Sequence, residues 1–121
     1  MGFLRNFFFL RELRATKNAF SKLPRASRQV AMHEFSDLVV MSRLSTSKDA
    51  FGAFVIAAIQ RRQELARVGM ATPEWVGACL AESYLIMRHM AWGGDSKWQS
   101  ELAKLESWAE QFVSDDKDGD C

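Results

Sequence analysis

Residues 50–59 read AFGAFVIAAI, an unbroken apolar run between Lys48-Asp49 and Gln60-Arg61-Arg62. A bilayer-spanning helix needs about 20 apolar residues, so this run is too short to cross a membrane. A run of this kind is instead a buried helix, apolar on nearly every side because other helices surround it. Gly52, Ala53, Ala57 and Ala58 are small enough to let neighbouring backbones approach, while Phe51, Phe54, Val55, Ile56 and Ile59 supply core volume. The fold this predicts is all-α, a small bundle of four to five helices around a central apolar helix at about 48–68.

Working outward, Ser45-Thr46-Ser47 is a turn whose hydroxyls can cap that helix, and Asp49 stands in its first turn. Arg61, Arg62 and Arg67 lie toward its C-terminal end, and Gly69 is placed to close it in the left-handed conformation. Upstream, Ala31, Phe35, Leu38, Val39 and Ser42 share one face of a helix, with Met32 at its edge. Val40, Met41 and Leu44 widen that face, predicting deeper burial of the helix end. Downstream, Thr72-Pro73-Glu74 is a strong helix start: a capping hydroxyl, proline at the first helical position and an acid in the first turn. The helix it opens carries Val76, Cys79, Leu80, Ser83, Ile86, Met87 and Met90 on one stripe, and Gly93-Gly94 ends it. A last helix, capped by Asp95 or Ser96, has a regular seam of Trp98, Leu102, Leu105, Ala109 and Phe112.

The chain divides into a basic aromatic-rich N-terminal helix (1–23), a helical bundle core (24–113) and an acidic disordered tail (114–121). Its 121 residues are 48% hydrophobic and 26% charged, which excludes wholesale disorder and leaves room for a single core. The formal net charge of +1 conceals a polarised layout. Arg5, Arg11, Arg14, Lys17, Lys22, Arg25 and Arg28 face one acid, Glu12, whereas Asp115, Asp116, Asp118 and Asp120 face one base, Lys117. Two cysteines, Cys79 and Cys121, make no disulfide framework, so the expected compartment is a reducing cytoplasm. Charge at Arg5 and Arg11 breaks the N-terminal apolar stretch and argues against a secretory signal; its composition is closer to a transit peptide, although Glu12 and the dense phenylalanines oppose that reading.

The motifs that carry chemistry are weak. His33-Glu34 with Asp37 resembles H-E-x-x-H with Asp for the second histidine, and a bundle site from His33, Asp37, Glu82 and His89 is conceivable; by helical phase these residues instead form a solvated, salt-bridging face, and no metal or other cofactor is expected. Ser114-x-Asp116-x-Asp118-Gly119 opens like a calcium loop but stops at Cys121, short of the bidentate glutamate. Residues 65–78 have helix-turn-helix spacing, yet Glu74, Trp75, Val76 and Gly77 offer nothing to meet base edges, so nucleic-acid binding is not favoured. With no nucleophile elbow or phosphate loop, and Cys79 on a core stripe, no catalytic residues are expected.

The functional expectation is a non-enzymatic protein acting through protein–protein interaction, with itself or with a partner. The contact element is the N-terminal helix, through Phe3, Arg5, Phe7, Phe8, Phe9, Arg11 and Arg14, because aromatic residues and arginine dominate interface energetics. The alternative is a peripheral protein whose same segment lies on an anionic membrane surface.

Overall fold

The computed structural model describes the backbone of residues 2–45, 47–92, 94 and 96–119, and the side chains of residues 9–45, 47–92, 94 and 96–111. Among these residues there are five helices and no strand: α1 (Gly2–Lys22), α2 (Arg25–Ser42), α3 (Lys48–Val68), α4 (Pro73–Ala91) and α5 (Ser96–Gly119). The all-α bundle and the helix at 48–68 stand as the sequence predicts. Helix α5 takes in residues 114–119 of the stretch read as an acidic tail.

The boundaries have local causes. Pro24 has no backbone N–H and sits at φ −58°, ψ 156°, between α1 and α2. Ser47 caps α3, its side chain accepting from the Ala50 N–H at 3.1 Å, while Thr46 lies outside the described residues. Thr72 caps α4, Oγ1 accepting from the Trp75 N–H at 3.2 Å, with Pro73 at the first helical position as expected. Gly69 closes α3 differently from the expectation. Its φ of 165° and ψ of 136° are extended rather than left-handed, and its N–H donates to the Leu65 carbonyl at 3.1 Å. The positive φ falls at Gly94, at +90°, after α4.

The central position belongs to α4, not to α3, which corrects the reading of residues 50–59. Helix α4 packs against each of the other four helices. Six consecutive residues, Val76, Gly77, Ala78, Cys79, Leu80 and Ala81, are all buried, so this part of α4 has no solvent face. In α3 only Phe51 and Ala58 are buried, and Ile56 is 58% exposed. The physical reason is side-chain size. Gly77 lies so close to α2 that a Cβ there would fall 2.2 Å from the Ala31 carbonyl oxygen, whereas nothing lies within 4 Å of a Cβ at Gly52.

Around α4 the predicted stripes mostly fill the core. Ala31, Met32, Phe35, Val39 and Ser42 of α2 are buried, as are Trp98, Leu105 and Ala109 of α5; Phe112 lies outside the described side chains. Each large apolar side chain removed from water contributes about 1.5–3 kcal/mol, and Phe20, Phe51, Leu80, Leu85, Met87 and Leu105 are the largest fully buried ones. The end of α2 departs from expectation: Val40, Met41 and Leu44 are exposed, because their positions turn away from α4 once the helix has delivered Val39 and Ser42 to it. Ser42 is the buried polar residue of the core; its Oγ donates to the Val39 carbonyl at 2.7 Å and accepts from Arg88 Nη1 at 3.3 Å. Beside it, Arg88 lies over the Phe51 ring at 5.2 Å, and His89 stacks on the same ring at 6.3 Å.

Candidate functional site: a cleft between α1, α3 and α4

Three helices enclose a cleft of about 560 Å³. Helix α1 contributes Phe9, Glu12, Ala15 and Thr16; α3 contributes Arg62; α4 forms the floor with Trp75, Cys79, Glu82, Ser83 and Ile86. A smaller depression of about 190 Å³, lined by Gly52, Val55, Ile86, His89 and Met90, continues along α4 and shares Ile86 with the cleft.

Helix α1 becomes one wall because its apolar positions are anchored in the bundle. Leu13 and Phe20 are buried. Phe9 meets the Trp98 ring edge-on at 5.7 Å, and Phe20 meets Trp108 at 5.2 Å. The stripe beside these anchors, Phe9, Glu12 and Thr16, therefore borders the cleft.

The far wall is set by two consecutive arginines of α3 that brace two different helices. Arg61 Nε donates to Glu34 Oε1 of α2 at 2.6 Å, and Arg62 Nε donates to Glu82 Oε2 of α4. Successive residues of a helix point about 100° apart, which is how adjacent side chains reach opposite neighbours. The bond to Glu34 holds the Arg61 guanidinium above its ordinary pKa. Sequence phase put His33, Asp37, Glu82 and His89 on a solvated, salt-bridging face; of these four Glu82 is in an ion pair, with Arg62, while the partner of Arg61 is Glu34, the neighbour of His33.

Cys79 reports the electrostatics of the cleft. Burial pushes its thiol up to about 12; Arg62 opposes the shift, and Glu82 and Glu12 add to it. A thiol held protonated in this way offers little thiolate for nucleophilic attack near neutral pH. In the same wall the indole Nε1 of Trp75 is buried without a hydrogen-bond acceptor. Glu12 has no cationic partner among the described residues, and it is the only acid in the first 28 residues.

The expected contact residues are distributed over this geometry unequally. Phe9 is half-buried on Trp98 and lines the cleft, while Arg11 and Arg14 are exposed. Phe3, Arg5, Phe7 and Phe8 lie outside the described side chains. The four residues weighed as a metal site are dispersed into other roles: His33 and Asp37 are exposed on α2, Glu82 holds Arg62, and His89 stacks on Phe51. Among the described residues no three His, Cys, Asp or Glu side chains come together as a metal-binding group. The cleft itself went unseen in the sequence. Its signals were present as Glu12 standing alone among bases and Trp75 in the first turn after the Thr72 cap, but their convergence depends on how three helices pack.

No family model matches the chain, nor does any curated protein or solved structure. Among the described residues no helix is long and apolar enough to cross a membrane.

Proposed function

We propose that this is a non-enzymatic protein that works by binding another protein, a copy of itself or a foreign partner, through the basic, phenylalanine-rich N-terminal helix. The observation that supports this reading most directly is the division of labour along α1. Leu13 and Phe20 hold the helix in the core, while Arg11 and Arg14 face solvent without an acidic partner among the described residues. A helix fixed from below and basic on its outer side is a preorganised contact element, which lowers the ordering cost of association. A reducing cytoplasm is the proposed setting, and the buried, unpaired Cys79 is compatible with it.

The anchoring also determines the experiment. Deleting residues 1–23 would remove Leu13 and Phe20 from the core, so loss of association after truncation would report unfolding. The informative comparison is the full chain against Phe7→Ser/Phe8→Ser, by size-exclusion chromatography with light scattering, in parallel with sedimentation on vesicles of phosphatidylcholine and phosphatidylserine. Association of the full chain that the double substitution abolishes, with circular dichroism unchanged, is the expected result. A chain that stays monomeric and sediments with the vesicles in a Phe7- and Phe8-dependent manner would replace this reading with the membrane one.

A further inference from the structure

We infer that the groove along α4, between α1 and α3, receives the basic N-terminal segment of a second copy of this chain. The inference rests on the proposed role of α1 and names the surface that role requires.

The groove has the length and lining for a helical segment. From Trp75 to Met90 its floor follows one side of α4 over a rise of about 22 Å. Val55, Ile86 and Met90 make it apolar toward Met90, while its wider part toward Trp75 is mixed, with Phe9 and Trp75 beside Glu12, Glu82 and Ser83. Its side at Gly52 is open, since a Cβ there would meet nothing within 4 Å. An amphipathic helix laid into such a groove is a recurrent mode of protein recognition.

Charge selects the occupant. The cleft carries Glu12 and Glu82 against one base, Arg62, which is already committed to Glu82. Its uncompensated charge is therefore the Glu12 carboxylate. The N-terminal segment MGFLRNFF supplies the complement, one arginine among phenylalanines and no acid.

Spacing then gives a register. Arg5 precedes Glu12 by seven residues, which keeps the two positions on one stripe of α1, the stripe that Phe9 and Thr16 continue along the cleft. Two antiparallel copies of α1 paired around position 8/9 bring Glu12 of each opposite Arg5 of the other. Because that antiparallel pairing sets the same stripe of each copy against the other about a two-fold axis, the arrangement is isologous and closes at a dimer.

The test is a charge swap read by light scattering and sedimentation equilibrium on the full chain. The unaltered chain is expected to run at twice 13.8 kDa. Glu12→Lys and Arg5→Glu should each weaken the dimer by about tenfold or more, as loss of an interfacial charge pair followed by repulsion does. The double variant Arg5→Glu/Glu12→Lys should recover most of the affinity, a rescue that a merely unfolded variant cannot produce. A dimer that ignores Glu12→Lys but dissociates on Phe7→Ser/Phe8→Ser overturns the groove inference while leaving α1 as the contact element. A full chain that is monomeric at every concentration, or a double variant no better than the single ones, overturns it as well.

Discussion

Replacing Gly77 by alanine should destabilise this protein although alanine is the better helix former. A methyl group at position 77 would lie 2.2 Å from the Ala31 carbonyl oxygen, 2.9 Å from its carbon and 3.0 Å from its Cα, all backbone atoms that no rotamer change can move. Ordinary contact begins at 3.4 Å, so α2 and α4 must part by about 1.2 Å at their crossing, the difference between 3.4 and 2.2. A gap of that size forfeits a quarter to a half or more of the dispersion attraction of the atoms lining it, which include those of the fully buried Ala31. Overpacking of this kind costs up to about 3 kcal/mol, and removing glycine from a helix interior returns about 1 kcal/mol, leaving a net loss of about 2 kcal/mol. For a chain of this length that lowers Tm by roughly 8 °C and the urea midpoint by about 1 M. Gly52→Ala is the matched control, with open space at its Cβ, and it should gain up to about 1 kcal/mol. Unfolding followed by circular dichroism in both variants decides the matter. If Gly77→Ala is as stable as the parent, the close approach of α2 and α4 is not a property of this fold.

The two ion pairs of α3 should differ in weight. Arg62→Ala, at a pair whose glutamate side chain is only 16% exposed, is expected to cost about 1–2 kcal/mol in urea unfolding, and Arg61→Ala, whose own side chain is 44% exposed, less than about 1 kcal/mol, with the smaller effect vanishing in high salt. Cys79 should make the fold sensitive to alkali. Its thiol titrates near 9 when unfolded and about 12 when folded, so above pH 9 the unfolded state holds fewer protons and stability falls as pH rises; the stability difference between the parent and Cys79→Ala should drift in that direction between pH 9 and 12 and be flat below pH 8. In a Cys121→Ser background the native chain should also resist thiol-modifying reagents at pH 8 until denaturant is added.

The sequence disclosed periodicity better than neighbourhood. The α2 stripe from Ala31 to Ser42 and the caps at Ser47 and Thr72 are local matters, decided within one or two turns, and they appear in the structure as read. Which helix occupies the middle is not local. Residues 50–59 form a longer apolar run than residues 76–81, yet VGACLA is the buried stretch, because glycine and alanine there let α2 and other neighbours come close while the bulkier α3 run keeps Ile56 in solvent. Hydropathy measures what a segment would tolerate, and residue volume determines how many helices can reach it. The same limit hid the cleft. Glu12, Arg62, Trp75 and Glu82 lie on three helices, and only Glu82 was singled out as chemically interesting, in a metal reading that its bond to Arg62 replaces. The contact residues from Phe9 to Arg14 split between wall and solvent because α1 is also a core helix, a dual use that its aromatic content alone does not reveal.

The adjacent arginines of α3 also make that helix a ruler. Phe51 is fixed under Arg88 and His89 at one end, and Arg61 and Arg62 are fixed to α2 and α4 ten residues later. Inserting or deleting one residue between these points would turn the second set by about 100° and slide it by 1.5 Å, aiming Arg61 or Arg62 at the wrong neighbour and carrying Ala58 off its buried position. Length variation in this chain therefore belongs in the turns before Lys48 and after Val68, and α3 itself can change its letters but not their number.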